Sequence, residues 1–464
     1  MRGQGDVVKM RGLRSTIALL AVLIGLCAYI YFVTFKTPES GTAETKERVF
    51  AALDADKIDE LKVKSESGET TSVKKDGGTW QVTAPLAARA DAMEIGSIAS
   101  NLSTLEINRV VDENPADLKE YGLDAPRVEI EFKASGDKDY GDYRRLFIGG
   151  KSPTGGDLFA RRDADKRVIL IPGYTDPIFN RSTFDLRDKA LLAVEREKVD
   201  RIAVSAQGLQ AGKPLELARD GTGWTLTSPT QAIADPAAAD SLLGRVQGAA
   251  MKSIATEQAT PDDLNKYGFD KPQATVTLHA GGVSNALIFG GSANDTDVYV
   301  RDPSKPLVAT ADGSLLNELR KPPEDYRRKN LFGFNRYSTD RLEFARDGQT
   351  VVLEKVKSQD LTPDKWRRVS PNAGDPDAMN VDDLLTKLEG LRATAFRAST
   401  DRTGVDKPAL TVHAKFENGT REDRVSFGRI ATDVFAAIAG QPGVAEVSAA
   451  EFDEAVKALD LVSK

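Results

Sequence analysis

The chain has 464 residues, 40% of them hydrophobic and 29% charged, with a formal net charge of −7. At roughly 150 residues per domain this reads as about three domains of a globular protein, too long for one compact domain. The acidic balance argues against a nucleic-acid partner gripped through phosphates, and one cysteine (Cys27) with two histidines (His279, His413) excludes cysteine zinc sites, disulfide frameworks and most histidine-centred catalysis.

The first element is an apolar run. From Ile17 to Phe35 no residue is charged, and a helix over that range spans roughly 28 Å, close to the ~30 Å hydrocarbon core of a bilayer. Arg2, Lys9, Arg11 and Arg14 precede it against the single acid Asp6, which places a tail of residues 1–16 in the cytoplasm by the positive-inside rule. Ala28–Lys36 is bulky and aromatic and offers no small-residue cleavage site. Leu26 stands before Cys27 where a lipoprotein needs a small residue. The pattern predicts a single-pass signal anchor over 17–35 in the inner membrane, a linker over 36–58, and the bulk of the chain outside the cytoplasm.

After the linker the chain repeats itself. Trp80, Trp224 and Trp366 lie 144 and 142 residues apart, and each is followed by a proline (Pro85, Pro229, Pro371). Tyr121-Gly122-Leu123-Asp124-Ala125-Pro126 recurs as Tyr267-Gly268-Phe269-Asp270-Lys271-Pro272 and, without the tyrosine, as Gly404-Val405-Asp406-Lys407-Pro408. Leu146-Phe147-Ile148-Gly149 recurs as Leu287-Ile288-Phe289-Gly290 and Val425-Ser426-Phe427-Gly428. Leu158-Phe159-Ala160-Arg161 is matched by Val298-Tyr299-Val300-Arg301 and Val434-Phe435-Ala436. Four markers in one order, three times, predict tandem copies over 59–199, 200–339 and 340–464, the third shorter and divergent.

Within a copy the apolar residues alternate, as Val128, Ile130 and Phe132 do against Glu129 and Glu131. That is the period of half-buried antiparallel strands. The expected order is two short strands, the tryptophan strand, a helix, the Gly-x-Asp-x-Pro turn, three or four more strands and a closing helix. Asp235-Pro236 starts the first helix of copy two, with Leu242, Leu243 and Val246 as its apolar face. Its counterparts fall at about Asp91–Leu105 and Val381–Leu391, and a closing helix lies near Leu315–Arg320. The class is α+β: three repeats of a mainly antiparallel sheet with one or two helices each.

The residues that invite chemistry also have plain structural readings. Asp124, Asp270 and Asp406 suggest a catalytic or metal role, but a fold needs its turn in every copy. There glycine supplies a positive φ, aspartate an Asx turn and proline the next strand's φ. Gly150-Lys151-Ser152 resembles the end of a phosphate-binding loop, yet Arg145 stands where that loop requires glycine. His279 and His413 fall at non-equivalent, outward strand positions and read as solvated. The tryptophans could stack on sugars or peptides, but their repeated place in one strand speaks for the core. Arg187, Lys189, Arg327 and Lys329 cluster at the copy ends and read as an exposed junction that could meet an acidic partner or nearby acids. No residue is assigned a catalytic, cofactor-binding or metal-ligating role.

The Trp-x-aliphatic…Pro strand, the Tyr-Gly-Leu-Asp-x-Pro turn, the Ile-Gly-Gly hairpin and the Leu-Arg-Asp-Lys segment occur in that order over residues ~50–464. In this the chain resembles the bacterial domain-of-unknown-function family 4340, most closely at Trp80, Tyr121–Pro126, Gly149 and Leu186–Leu191. The resemblance implies no activity and no catalytic residues. It implies an association with an ABC-type permease, its ATPase and a gliding-motility-type auxiliary subunit. Two functions are then expected: a non-enzymatic, membrane-anchored extracytoplasmic accessory of such a transport complex, or an extracytoplasmic binding protein or hydrolase acting on cell-wall or exported polymers through carboxylate pairs. Buried tryptophans favour the first, and an open cleft with opposed acids and exposed tryptophan favours the second.

Overall fold

The structure, a computed structural model, describes residues 21–26, 29, 46–135, 143–153, 155–163, 165–209, 213–221, 223–357 and 364–463. The chain divides into two compact units, Met1–Asp188 and Lys189–Lys464. The first holds one sheet and the second holds two, so the chain carries three tandem antiparallel sheets.

In the first unit β1 (Ile58–Lys64), β2 (Thr70–Asp76), β3 (Thr79–Ala84), β4 (Ala88–Arg89), β5 (Arg109–Asp112), β6 (Val128–Ala134), β7 (Arg144–Lys151), β8 (Asp157–Arg162) and β9 (Val168–Pro172) form one sheet. Its order is β4-β3-β2-β1-β6-β7-β8-β9-β5. The second sheet repeats this with β10 (Val199–Ala206), β11 (Leu215–Asp220), β12 (Gly223–Ser228), β13 (Ala232–Ile233), β14 (Ser253–Thr256), β15 (Ala274–Ala280), β16 (Val283–Ser292), β17 (Asp297–Arg301) and β18 (Val308–Asp312). The third has β19 (Thr339–Arg346), β20 (Gln349–Val356), β21 (Lys365–Ser370), β22 (Ala393–Arg397), β23 (Leu410–Phe416), β24 (Arg421–Ile430), β25 (Asp433–Ile438) and β26 (Val444–Val447), and among the described residues lacks only the counterpart of β4.

One long helix per copy crosses the sheet. In copy one α1 (Ala92–Thr104) joins β4 to β5, which are opposite edges, so it runs over the whole inner face. Asp91 caps it by accepting from the Met93 and Glu94 amides. Ile95, Ile98, Ala99 and Leu102 are buried at the i, i+3, i+4, i+7 spacing of a single helix face. They meet Leu61, Val63, Val128, Ile130, Phe132, Leu146 and Ile148, the inward half of each strand's alternation. Each such side chain stabilises the fold by about 1.5–3 kcal/mol on burial. α2 (Pro236–Gln247), capped by Asp235, and α3 (Ala378–Gly390), capped by Asp377, do the same in copies two and three. The third copy also packs α4 (Ala449–Ser463) into its core through Phe452, Ala455, Ala458, Leu459 and Val462.

Each copy opens on an extended segment that pairs beyond its long helix. Val49 N–H donates to Leu105 O and Ile107 N–H to Glu47 O, both at 2.8 Å. Leu191 to Ala249 (3.1 Å) with Met251 to Lys189 (2.8 Å) repeats this in copy two, and Leu331 to Leu391 (3.1 Å) with Ala393 to Lys329 (2.7 Å) in copy three. These segments precede residues 59, 200 and 340, at which the sequence markers start the copies.

The closing helix expected near Leu315–Arg320 runs over Ser314–Leu319. Asp312 accepts from the Ser314 amide at 2.8 Å, and Lys252 Nζ lies 3.4 Å from its carboxylate. The Ser314 hydroxyl and amide, then Lys252, draw its pKa from the ordinary 3.8 down to about 2. The folded value lies below the unfolded one, so this contribution is whole above about pH 4 and is lost as pH falls towards 2. Urea titrations at pH 5 and pH 3 should show the wild-type chain losing more stability on acidification than Asp312→Asn. Equal losses would remove Asp312 as a source of acid sensitivity.

The anchor expected over 17–35 needs correction. A span takes about 20 consecutive apolar helical residues, and among the described residues no helix is long and apolar enough to cross a membrane. Of that range only 21–26 and 29 are described, as helix. The remainder, the tail over 1–16 and the linker up to residue 45 lie outside the described residues. A signal anchor, a single-pass inner-membrane topology, an extracytoplasmic location and a permease reached through the membrane all depended on that helix, and the structure gives them no support.

Candidate functional site

The two glycine markers meet in space. Gly122, Gly268 and Gly404 hold φ values of 67°, 78° and 75°, the left-handed region that glycine enters without cost. Each packs backbone to backbone on the hairpin glycine of its own copy. A Cβ on Gly149, Gly290 or Gly428 would collide with the carbonyl oxygen of Tyr121, Tyr267 or Thr403. A Cβ on Gly122, Gly268 or Gly404 would stand 3.1, 2.8 or 3.2 Å from the amide nitrogen of Gly150, Gly291 or Arg429. The recurrence of both glycines therefore records one close approach of two chain segments.

Asp124, Asp270 and Asp406 point outward from these turns and are exposed. The expected Asx bond is not made: their carboxylates accept no hydrogen bond among the described residues. Gly150-Lys151-Ser152 is the end of β7, where pairing with β8 shifts register between Ile148 and Lys151. The same shift occurs between Phe289 and Ser292 in copy two. In copy three Arg429 replaces the second glycine, and β24 pairs with β25 unbroken from Val425 to Ile430. The Gly-Gly pair thus accommodates a β-bulge.

His279 and His413 lie on outward strand positions as expected, but both are half-buried rather than fully solvated. The His279 Nδ1 is 2.8 Å from Ser284 Oγ, and the His413 Nε2 is 3.0 Å from Glu422 Oε2. The His413 imidazole holds the Glu422 carboxyl below its ordinary range.

Trp224 and Trp366 are buried, and Trp80 is half-buried against its core. In all three copies the residue directly across the neighbouring strand is a cation above the indole. Lys75 lies 6.0 Å from the Trp80 ring, Arg219 4.7 Å from Trp224 and Lys355 5.3 Å from Trp366. One ring face fills the core while the cation covers the other. The prolines after them, Pro85, Pro229 and Pro371, all follow cis peptide bonds.

The copy ends are half-buried rather than exposed. In the first unit Asp188 N–H donates to Arg89 O at 2.9 Å, and their side chains form a 3.4 Å ion pair. In the second unit Arg328 N–H donates to Ile233 O (2.9 Å) and Asp235 N–H to Tyr326 O (2.8 Å). Arg327 donates to Pro442 O at 3.0 Å and sits 3.8 Å from the Phe396 ring. Burial pulls the pKa of Arg327 and of Arg328 below the ordinary arginine value. These cations hold copies two and three together inside one unit.

What differs between copies is the outer face of each sheet. Copy one carries a charge ladder there: Lys62–Glu131 at 3.4 Å, Lys64–Glu129 at 2.6 Å and Arg145–Glu131 at 3.3 Å. Lys74 and the Tyr143 hydroxyl hold the adjoining Glu60 carboxyl below its ordinary range, and Glu60 pushes Tyr143 up to about 12. At the corresponding places copy two has Ala203, Ser205, Thr275, Thr277 and Ala286, all uncharged. Copy three has Glu343, Ala345, Thr411, His413 and Arg424. A pocket of about 240 Å³ in copy three is lined by Thr394, Arg397, Asp433, Phe435 and Glu446 among others. Its Arg397 is already engaged by Glu446 and lies 5.0 Å from the Phe435 ring.

Fold and surface together define a tandem-repeat α+β protein in which the recurring residues serve the fold. The sequence model described as "Domain of unknown function (DUF4340)" matches residues 80–255 and 224–408, and the chain belongs to that family. The two matches begin on Trp80 and Trp224, the marker that sets the repeat. The match brings no evidence for a transport or gliding-motility association. A comparison with curated proteins found no match. Among solved structures, the crystal structure of DNA polymerase sliding clamp from Pseudomonas aeruginosa with ligand is 8% identical over 88% of this chain and 94% of that one, with a TM-score of 0.15. A likeness at that level carries no argument.

Proposed function

We propose that the chain is a non-catalytic interaction protein that presents three differently charged sheet faces on one repeated scaffold. The observation that supports it is the division of labour within each copy. The glycines, tryptophans and helix faces that recur are consumed by packing, whereas the outer strand positions differ in charge from copy to copy. A rigid sheet fixes such side chains in register, which suits recognition better than a loop does. The buried Trp224 and Trp366 are not placed to stack on a ligand, which weighs against a polymer-binding cleft.

The test is affinity recovery of the tagged full-length chain with crosslinking and mass spectrometry, comparing wild type with Lys64→Glu, Thr275→Arg and Arg424→Glu, one variant per face. Breaking an exposed ion pair costs under about 1 kcal/mol, so the variants should stay folded. The expected result is that at least one variant loses a specific partner while its melting temperature holds. Identical recoveries for all three would overturn the reading, as would turnover of any substrate by the purified chain.

A further inference from the structure

The sheet edge before each long helix is closed in copies one and two by an extended segment. In copy one that segment is Leu186-Arg187-Asp188: Asp91 N–H donates to Leu186 O and Asp188 N–H to Arg89 O, each at 2.9 Å. In copy two it is Tyr326-Arg327-Arg328: Asp235 N–H donates to Tyr326 O at 2.8 Å and Arg328 N–H to Ile233 O at 2.9 Å. The geometry is one antiparallel bridge, Ala90 to Arg187 and Ala234 to Arg327. Trp80 to Asp91, Trp224 to Asp235 and Trp366 to Asp377 are equal spacings, so the matching edge in copy three is Asp375-Pro376-Asp377.

Among the described residues nothing occupies that edge. The Asp377 amide and the Asp375 carbonyl, counterparts of the two groups that bond the segment, have no hydrogen-bond partner, and both residues are exposed. Pro376 replaces Ala90 and Ala234, whose amides point inward to Trp80 O and Trp224 O at 3.2 and 3.1 Å. The proline thus removes an inward bond and leaves the outward pair intact. Arg368, standing where Val82 and Leu226 fill the other cores, instead donates to Val462 O at 3.2 Å and holds the end of α4.

Charge says what fits. In copy one the edge residue Arg89 faces Asp188 across the bridge, with the 3.4 Å ion pair between them. In copy three the same place is Asp375, and its complement is a lysine or arginine. The Asp377 carboxylate accepts from the Met379 amide at 2.8 Å as the helix cap, so Asp375 is the acid left to meet a partner. We propose that the Asp375–Asp377 edge accepts an extended segment of a partner protein by strand addition, with a basic residue opposite Asp375. The edge is separate from the outer sheet faces, and the two readings stand on different experiments.

The probe is a fluorescein-labelled peptide with the sequence of residues 326–331, Tyr-Arg-Arg-Lys-Asn-Leu, titrated with the full chain and read by anisotropy. Saturable binding is expected. N-methylation of the peptide's second arginine, the donor to Asp375 O, should weaken it about tenfold. Asp375→Lys should weaken it about fivefold without lowering the melting temperature, while Asp347→Lys, on the hairpin between β19 and β20, should leave it unchanged. Absence of saturable binding up to millimolar peptide would overturn the proposal. So would equal loss in Asp375→Lys and Asp347→Lys, which is charge attraction alone, or indifference to N-methylation. Self-association abolished by Asp375→Lys would assign the edge to a second copy of this chain and overturn it equally.

Discussion

Gly290→Ala is expected to destabilise the second unit by about 2–4 kcal/mol, among the largest losses available from a single methyl group. The new Cβ would collide with the Tyr267 carbonyl oxygen and stand 3.1 Å from the Phe269 ring. Neither neighbour can yield cheaply: one is backbone in a turn held at positive φ by Gly268, and the other leans on the same turn. Relief by separation would also stretch the bond from Gly291 N–H to Tyr267 O, now 2.7 Å. For a unit of this size each kcal/mol moves the melting temperature by roughly 2–4 °C, so a drop on the order of 10 °C should be seen calorimetrically. Gly96→Ala supplies the opposite sign. Gly96 lies within α1 with nothing within 4 Å of its Cβ position, and alanine there should stabilise by about 0.5–1 kcal/mol. If Gly290→Ala melts with the wild type, the two backbones do not touch.

That contact also marks how far the sequence could be read. Both glycines of each copy were visible as recurring letters, and a positive φ at the turn followed from residue type. Their contact was not, because Gly122 and Gly149 are separated by β6 and part of β7, and only the pairing of those strands brings them together. The long helix of copy two was legible from its Asp235-Pro236 start and apolar spacing and those of copies one and three as its equivalents, whereas α4 was not placed. α3 nonetheless begins at Ala378, three residues before the expected Val381, since Ala378, Met379 and Asn380 lie off its buried face and only the Asp377 cap announces them. The edge strands β4, β5, β13 and β14 escaped notice because two to four residues are too few to show alternation. The apolar run over 17–35 is the expectation that needed correction: its length and flanking charges suggested a span, whereas among the described residues no helix is long and apolar enough for one.

The outer faces were half legible. Alternation says which residues of a strand point away from the core, but not which residues of different strands stand side by side. Register supplies that, pairing Lys62 with Glu131 and Glu131 with Arg145 in copy one, and Ala203 with Thr277 and Thr277 with Ala286 in copy two. The contrast between the charged ladder of copy one and its uncharged counterparts in copy two exists only once the strands are paired. The open edge at Asp375 is further from view, since it is defined by what sits beside its counterparts in the other copies.

The tryptophans recur in sequence but differ in burial, and their replacement should separate the copies. Trp224 is 3% exposed, donates its indole N–H to Asp240 Oδ1 at 3.1 Å and lies under Arg219. Trp224→Ala should cost about 3–5 kcal/mol, the usual range for removing a large buried ring. Trp224→Phe keeps most of the apolar contact and the cation above it but loses the indole bond, and should cost about 1–2 kcal/mol. Trp80 is only half-buried, its cation is more distant at 6.0 Å, and its indole makes no hydrogen bond among the described residues. Trp80→Ala should therefore cost less than half as much as Trp224→Ala. Urea unfolding of the full chain followed by far-ultraviolet circular dichroism reads both, with the first unit weakened by one variant and the second by the other. Equal losses would mean that the half-buried indole carries as much of its core as the buried one, contrary to the packing seen around Trp80.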